Sequence, residues 1–346
     1  MMQLDVVRAA DAACRKGAPG ALATIVAVRG SAYQREGTSI FIGADGAVCG
    51  LISGGCLESE VAAVAKELPP GGVRVLRYDT SDESVFGYGM GCPGVIDVLL
   101  EDLRGPAEPR ARFLSALAKG EAAARAVRVD RAREGELKEM VLLAGQRLGD
   151  LGAAEVEAAF ADAAAERLDH AAAGEAVRLA AGGEAIFAWA APVQAECVIF
   201  GATDDAQPLG RLAVEIGLRV RVVDPRGHLA TRKRFPGAEV RCLPLAAYGP
   251  DLGLGPASYV VVMGHQVERD LQALRVSLEA GVPYIGLLSS RGRRDSMLGH
   301  LREAGLVADL APRRLHAPAG LDIGARTPAE IALSIVAEIC RVRRKA

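Results

Sequence analysis

The sequence has 346 residues, of which 50% are hydrophobic and only 4% aromatic, so it can form two or three domains with cores of small aliphatic side chains. Its formal net charge of −2 gives no indication of nucleic acid or an anionic membrane as a partner. No apolar run approaches the roughly 18 residues of a membrane span, and the first residues lack the features of a signal peptide, so we expect a cytoplasmic protein.

The first region, residues 1–104, has the pattern of a small α/β domain. Apolar residues recur at helical spacing near its start, and apolar runs bounded by Gly and Asp indicate strands further on. In chain order the pattern predicts a helix over Leu4–Arg15, strands over Ala21–Val28, Ser39–Ile42 and Val48–Ile52, a helix that starts at Cys56, and strands over Val73–Tyr78 and Val95–Leu100.

A polar loop joins the first two predicted strands. Arg29, Gln34 and Arg35 lie in this loop, and their side chains offer hydrogen-bond donors for an anionic group. An ordinary surface loop is the alternative interpretation, and the sequence alone leaves both open.

Two glycine-bracketed cysteines are the most informative feature of the first region. Cys56 follows Gly54 and Gly55 at the start of a predicted helix, and Cys92 follows Gly91. A thiol at a helix N-terminus lies at the positive end of the helix dipole, which favours its thiolate, and glycines let a ligand approach the backbone. The seven cysteines are odd in number and lack metal-ligand spacing, which argues against disulfides and a zinc site. The pattern indicates contact with a soft atom or a reactive group, with packing in the core as the alternative.

The middle region, residues 105–193, is similar to a degenerate copy of the first, and we expect the two to pack together. The copy has Gly152-Ala-Ala where the first region has Gly54-Gly-Cys, and it has no counterpart of Cys92. A fold that was kept while its thiols were lost favours a ligand role for Cys56. The predicted elements are a helix ending near Gly120, strands over Ala126–Val129, Met140–Gly145 and Leu148–Gly152, a helix over Ala154–Leu168 and a strand over Ala185–Ala190.

The third region, residues 194–346, alternates strands and helices in the manner of a doubly wound parallel sheet. Its last helix has Thr327 as the predicted N-cap and Pro328 at the first helical position. The predicted strands are Cys197–Phe200, Arg219–Val223, Tyr259–Met263 and Pro283–Leu288, and the predicted helices are Gln207–Ile216, Glu268–Glu279, Arg293–Ala304 and Pro328–Arg344.

A degraded phosphate-binding loop follows the first strand of this region. Gly201 begins the turn, but Thr203 stands where a dinucleotide fold has its middle glycine, and Asp204 adds negative charge. Asp224 ends the second strand, where an acid would meet a ribose hydroxyl. The turn is therefore consistent with a scaffold that has no tight nucleotide site, or with a site for a nucleotide or pterin nucleotide. Hydride transfer with NAD(P) is less favoured, and no residue is predicted to be catalytic.

Further polar residues follow the later strands of this region. His265 comes at the carboxyl end of a predicted strand, where ligands bind in doubly wound folds. Arg291, Arg293 and Arg294 could hold an anion or form the solvated start of a helix. For His265 a structural role is the alternative to ligand binding.

Eight short motifs follow one another along the chain. They are Gly30-Ser-x-x-x-Arg35, Gly54-Gly-Cys-Leu-Glu58, Arg77-Tyr-x-x-Ser-Asp-Glu83, Gly89-x-Gly-Cys92, Val222-Val-Asp-Pro-Arg226, Ala230-Thr-x-x-Arg-Phe-Pro236, Tyr284-Ile-Gly286 and Gly320-Leu-Asp-Ile-Gly-Ala-Arg-Thr-Pro-x-Glu330. In this combination they resemble the XdhC/CoxI family, which comprises accessory proteins of xanthine dehydrogenase and related molybdenum hydroxylases. The resemblance covers both ends of the chain and is weak in the middle region.

The resemblance implies a function and a set of partners. Such proteins bind the molybdenum cofactor, protect it while its terminal oxygen is exchanged for sulfur, and pass it to the apoenzyme. They work with a cysteine desulfurase and the hydroxylase, and they tend to form homodimers. By this resemblance the chain is a non-catalytic maturation factor, and Cys56 and Cys92 are thiolate contacts of molybdenum or carriers of a persulfide. Whether the cofactor is molybdopterin itself or the cytosine dinucleotide form stays open.

Departures from the family pattern fall in the third region. The chain has Gly201-Ala-Thr-Asp-Asp where family members often have Gly-Ala-Gly-His, and Gly264-His-Gln where many have Thr-His-Asp. It also has Ser289-Ser-Arg-Gly where many have Gly-Ser-Arg-Arg. These changes indicate altered ligand choice or a lost nucleotide site. An NAD(P)-dependent oxidoreductase and a sulfur-transfer protein working through a thiol or persulfide are the alternative functions.

Overall fold

The computed structural model describes residues 2–55, 57–79, 94–105, 108–133, 135–168, 175–181, 184–191, 193–289, 291–303 and 314–344. Cys56, Gly91 and Cys92 lie outside these ranges. The chain forms two compact units, Met1–Val193 and Gln194–Ala346. Across the described ranges, no helix has both the length and the apolar character needed to cross a bilayer.

The described residues of the first half of the N-terminal unit form a five-stranded antiparallel sheet and two helices. The strand order is β3-β2-β1-β5-β4, so the long strand β1 is central and pairs with β5 over most of its length. Gly17 ends the first helix in a left-handed conformation, and its amide donates to carbonyl oxygens of the last turn. The elements are α1 (Leu4–Lys16), β1 (Gly20–Gly30), β2 (Ser39–Gly43), β3 (Val48–Cys49), α2 (Glu58–Glu67), β4 (Val73–Asp79) and β5 (Gly94–Asp102).

The second half repeats this topology. Its sheet has the order β8-β7-β6-β10-β9, which matches the first sheet strand for strand, and its neighbouring strands are likewise antiparallel. One added helix, α4, follows β6 at the point where the first half has its polar loop. The elements are α3 (Glu108–Lys119), β6 (Ala123–Arg128), α4 (Val129–Arg133), β7 (Glu139–Leu143), β8 (Gln146–Gly149), α5 (Ala154–Leu168), β9 (Glu175–Ala181) and β10 (Glu184–Ala191).

The two halves share one hydrophobic core. Helices α1 and α3 pack on each other and against the facing sides of both sheets. Phe113 meets Trp189 edge to face, with ring centroids 5.3 Å apart, a geometry that contributes about 0.5–1.5 kcal/mol beyond area burial. Helices α2 and α5 cover the outer faces of the first and second sheet. The internal repeat is therefore built as two similar layers around a common core.

A buried ion network crosses this core. Glu101 of β5 is fully buried and accepts hydrogen bonds from Arg125 (Nη2–Oε1, 2.5 Å; Nη1–Oε2, 3.1 Å) and from Arg110 (Nη1–Oε1, 3.4 Å). Arg125 also donates through Nε to Glu139, at 2.7 Å. Burial raises the pKa of Glu101, but the charge and hydrogen bonds of Arg125, together with Arg110, outweigh it and keep the pKa low. Two arginines and two glutamates thus neutralise each other between the sheets.

The C-terminal unit is a parallel six-stranded sheet with the order β13-β12-β11-β14-β15-β16. This is the strand order of a Rossmann fold. The first three strands of the unit are added toward one side of the sheet and the last three toward the other, so that the order switches between β11 and β14. The two faces of the sheet pack in separate cores, one against α6 and α9 and one against α7 and α8. The elements are β11 (Glu196–Phe200), α6 (Ala206–Glu215), β12 (Arg219–Val223), β13 (Glu239–Arg241), β14 (Ser258–Val262), α7 (Val267–Glu279), β15 (Tyr284–Leu287), α8 (Arg291–Glu303), β16 (Leu315–His316) and α9 (Pro328–Arg343).

The predicted fold class, an α/β domain with a degenerate internal repeat plus a Rossmann-like parallel sheet, is confirmed. The Thr327 cap of α9 is also correct, since its side chain accepts from the Glu330 amide and Glu330 reciprocates. The strand predicted over Val48–Ile52 is too long: Gly50, at φ +95°, turns the chain after Cys49. Strands β9, β13 and β16 and helix α4 were not predicted from the sequence.

Candidate functional site

A rigid turn precedes helix α2 and carries the first predicted glycine pair. The Ser53 hydroxyl accepts hydrogen bonds from the amides of Gly55 (3.2 Å) and Leu57 (3.1 Å) and donates to Glu58 Oε2 (2.5 Å). Glu58 Oε1 accepts from the Ile52 and Ser53 amides, at 3.0 and 2.8 Å. Burial raises the pKa of Glu58, but these hydrogen bonds outweigh it and lower the pKa, so the carboxylate stays ionised. Hydrogen bonds of the Ser53 and Glu58 side chains therefore hold the turn in place.

Gly54 and Gly55 themselves face open space. Both are exposed, and a Cβ atom placed on either would find no heavy atom of the described residues within 4 Å. Gly55 has φ +106°, a backbone conformation that residues with a side chain rarely adopt. The turn thus offers its backbone to a ligand at the start of α2, where the positive end of the helix dipole lies. Backbone amides at a helix start suit an anionic group; Cys56, between Gly55 and Leu57, is outside the described residues.

The glycine turn lies at one edge of the first sheet, together with the other predicted loops. Gly30, the last residue of β1, pairs with Gly94, the first of β5, and Asp79, the last of β4, pairs with Val95. Strand β3 runs toward the same edge, because it is antiparallel to β2 and β2 is antiparallel to β1. The two ends of the segment that carries Gly91 and Cys92 therefore lie where β1 enters the polar loop, and β3 runs toward this edge before the glycine turn.

Close backbone packing holds this edge together. A Cβ on Gly94 would lie 2.3 Å from the Ser31 carbonyl oxygen, so only glycine fits there. Glu36 in the polar loop accepts from the Val28 amide at 2.9 Å, which fixes the loop against β1. Arg35 is exposed and makes no ion pair with any described residue. Its guanidinium therefore remains available to an anionic group.

In the C-terminal unit, Gly201 lies at the topological switch point, where β11 and β14 are neighbours in the sheet. It follows β11 with φ +120°, and its amide donates to the Val223 carbonyl at 2.9 Å. A Cβ here would lie 2.6 Å from the Met263 carbonyl oxygen. The glycine is thus required for packing of the β11 and β14 ends.

Asp224 is occupied by its own unit. The carboxylate is buried and accepts from the Ala202 amide (2.9 Å), the Arg226 amide (2.8 Å) and the Arg226 guanidinium (2.9 and 2.7 Å). Burial raises its pKa, but the contacts with Arg226 and Ala202 outweigh burial and lower it. A ribose hydroxyl at this position would have to displace Arg226.

His265 and Thr203 meet through Asp205, a pairing that the sequence alone does not reveal. The His265 Nε2 atom lies 2.7 Å from Asp205 Oδ2, and the Thr203 hydroxyl donates to the other oxygen of Asp205. His265 has φ +61°, which is uncommon for a residue with a side chain. Asp204, almost fully exposed, accepts from Arg234 at 2.9 Å. Thr203 and His265 thus lie on either side of Asp205, whereas Asp204 pairs with Arg234 and Gly201 donates to Val223.

The arginines predicted to hold an anion after β15 contact other residues of the same chain. Arg293 donates to the buried Asp270 at 2.6 Å, and Arg294 donates to Asp295 and to the Ala317 carbonyl. The side chain of Arg291 lies outside the described part of the chain. Asp270 was missed, although an acid in the first turn of a helix after a parallel strand is a recognisable signal. Burial raises the pKa of Asp270, and Arg293 and the Gly264 amide oppose that rise.

Two sequence models of protein families match the chain. The XdhC and CoxI family matches residues 13–79, which include the polar loop and the glycine turn, and the XdhC Rossmann domain matches residues 197–339. The two matches fall in the two compact units and leave the second repeat between them.

Relatives match over nearly the whole chain. A probable xanthine dehydrogenase subunit of Bacillus subtilis (strain 168) is 28% identical over 94% of this chain and 93% of its own length. The molybdenum cofactor insertion chaperone PaoD of Escherichia coli (strain K12) is 25% identical over 98% and 88%. A crystal structure of a xanthine dehydrogenase from Bacillus halodurans superposes with a TM-score of 0.79 at 27% identity, over 100% of this chain and 96% of the other. Each of the two family models matches a segment within one of the two compact units. The chain belongs to the XdhC/CoxI family.

Proposed function

We propose that this chain binds the molybdenum cofactor as cargo, supports its sulfuration and inserts it into a molybdenum hydroxylase such as xanthine dehydrogenase. A role in molybdenum enzyme maturation is supported by the names of two relatives matched over nearly their full length. The observation that carries the finer proposal is the braced glycine turn, whose Gly54 and Gly55 present open backbone at a helix start. The chain acts as a carrier, and none of its residues is proposed to be catalytic.

In this proposal, the edge of the first sheet grips the cofactor. Backbone amides at the start of α2 and the exposed Arg35 provide donors for an anionic dithiolene ligand. In the proposal, Cys56 and Cys92 supply thiolates, which are soft ligands, to molybdenum. Gly54, Gly55 and Gly91 keep side chains out of the way of the ligand.

The partners we propose are the apo form of the hydroxylase, a cysteine desulfurase and a second copy of the chain. The cofactor is molybdopterin or its cytosine dinucleotide form. For the C-terminal unit, we propose that residues Gly201, Thr203, Asp204, Asp224 and His265 bind a nucleotide part of the cargo or serve as a scaffold. The occupied carboxylate of Asp224 favours the scaffold.

Replacing the two thiols tests whether they bind the molybdenum cofactor. We expect Cys56→Ser to lower retention of the molybdenum cofactor at least about tenfold, because a hydroxyl is a far poorer soft ligand than a thiolate, and Cys92→Ser to act in the same direction. Retention is measured as protein-bound molybdenum and pterin fluorescence after gel filtration. Cys242→Ser is the matched control, since Cys242 is an exposed free cysteine in the other unit.

Equal retention by all three variants would remove the thiols from the proposal. A sulfur-carrier role can be separated in the same preparations. After incubation with cysteine and a cysteine desulfurase, alkylation and mass spectrometry would show one added sulfur on Cys56 if it carries a persulfide. Cofactor retention without that sulfur would assign Cys56 to coordination alone.

A further inference from the structure

Three arginines converge on one buried carboxylate near the same edge of the first sheet. Asp97 of β5 is only 1% exposed. Arg77 of β4 donates to it twice, from Nε to Oδ1 at 2.8 Å and from Nη2 to Oδ2 at 3.2 Å. Arg133 donates to Oδ2 at 2.6 Å, and Arg29 to the same oxygen at 3.3 Å. We call Arg29, Arg77 and Arg133 the Asp97 arginine cluster.

The Asp97 arginine cluster carries more positive charge than Asp97 can neutralise. Burial raises the pKa of Asp97, but the hydrogen bond and charge of Arg77, with the charges of Arg133 and Arg29, outweigh burial and lower it. The carboxylate is therefore ionised, and the three guanidinium groups around it leave a local charge of +2 among the residues that the structure describes. The two-pronged contact of Arg77 already satisfies a carboxylate. Within the described parts of the chain, none of the three arginines pairs with a second acid.

The excess charge faces solvent. The side chains of Arg29, Arg77 and Arg133 are 46%, 52% and 46% exposed. A guanidinium has five N–H donors in a fixed fork, so donors beyond those that bind Asp97 are open to a ligand. Three like charges held around one buried point repel each other, and an anion on the exposed side would relieve that repulsion. One of the three arginines would be enough to neutralise Asp97 if no ligand were bound.

The cluster joins the two halves of the N-terminal unit. Arg29 and Arg77 lie on β1 and β4, close to the strand ends that form the edge with the glycine turn. Arg133 comes from α4, the helix of the second half that has no counterpart in the first. The second half has no cysteine in place of Cys56, yet it contributes one of the three cations. This gives the degenerate copy a part in ligand binding.

We propose that the Asp97 arginine cluster binds the phosphate end of the molybdenum cofactor. This inference rests on the proposed function and names the part of the cargo that the cluster recognises. A phosphate monoester carries close to two negative charges at pH 7, and the diphosphate of a dinucleotide form carries two, so either matches the local charge of +2. The bidentate fork of arginine suits phosphate oxygens.

The test uses the full chain and inorganic pyrophosphate as the probe. We expect wild type to bind pyrophosphate in isothermal titration and pyrophosphate to compete with the cofactor for the protein. The double variant Arg77→Gln/Arg133→Gln should weaken both at least about tenfold, because two charge-assisted donors are lost. Arg29 still neutralises Asp97 in this variant, which keeps the fold. Arg74→Gln, at an exposed position on the same strand β4, is the matched control and should leave both unchanged.

Each other result contradicts the inference in a recognisable way. If wild type retains the cofactor and the double variant retains it equally, the cluster does not bind it, and the proposed function stands. If pyrophosphate binds at the cluster without competing with the cofactor, the anion there belongs to another molecule and the assignment is wrong. If wild type retains no cofactor, the proposed function itself fails, and the inference falls with it.

Discussion

Glu101→Gln should destabilise the N-terminal unit by about 3–5 kcal/mol, the cost of breaking one partner of a buried ion network. Glutamine keeps the shape of the side chain, but Arg110 and Arg125 are then left with Glu139 as their only acid among the described residues. A buried guanidinium without full compensation is unfavourable because it has lost its water. The measurement is urea unfolding followed by the fluorescence of Trp189, the single tryptophan, which lies buried in this core.

Two comparisons show whether charge balance is the cause. Glu67→Gln removes the same charge from an exposed helix end and should change the free energy of unfolding by no more than about 0.5 kcal/mol. The double variant Glu101→Gln/Arg110→Gln restores neutrality, so it should be more stable than the sum of its single changes predicts. Additive losses in the double variant would show that packing, rather than charge, sets the cost.

Gly201→Ala should destabilise the C-terminal unit by about 3 kcal/mol or more, because strain and overpacking act together. The added Cβ would lie 2.6 Å from the Met263 carbonyl oxygen and 2.7 Å from its carbon, both backbone atoms. The residue also has φ +120°, which alanine rarely adopts. Hydrogen exchange of peptides from β11 and β14 should report the loss directly, with faster exchange on both strands.

Gly217→Ala separates the two causes. Gly217 has φ +80° but nothing within 4 Å of a Cβ, so alanine there meets strain alone, at about 1–2 kcal/mol. The difference between the two variants then contains the contact with Met263 and the larger strain at φ +120°. Equal effects would mean that the close approach of the β11 and β14 ends is not a packing constraint, and the role given to Gly201 would be wrong.

The fold followed from local patterns that the sequence displays directly. Continuous apolar runs gave the parallel strands of the C-terminal unit, and the capping pattern at Thr327 and Glu330 gave the last helix. The strand β9 could not be predicted, since Glu175–Ala181 is rich in alanine and favours a helix by propensity. Its pairing with β10 along its full length decides its structure.

Local motifs are visible in the sequence, whereas contacts between side chains across the fold are not. The glycine turn was visible as a motif, and its ligand role stays a prediction. The Asp97 arginine cluster joins three distant segments, so no spacing along the chain reveals it. A signal does exist, however: Asp97 is a lone acid inside the apolar strand Val95–Leu100, and buried acids are rarely unpaired. The pairing of Asp205 with His265 depends likewise on strand order.

Delivery of the cofactor tests the central claim most directly. The full chain is loaded with molybdenum cofactor, freed of excess by gel filtration, and mixed with the apo form of a molybdenum hydroxylase. We expect that wild type retains the cofactor, that molybdenum and pterin move to the hydroxylase, and that hydroxylase activity rises above the level reached with free cofactor. Wild-type protein that retains no cofactor, or that retains it without passing it on, would contradict the proposed function.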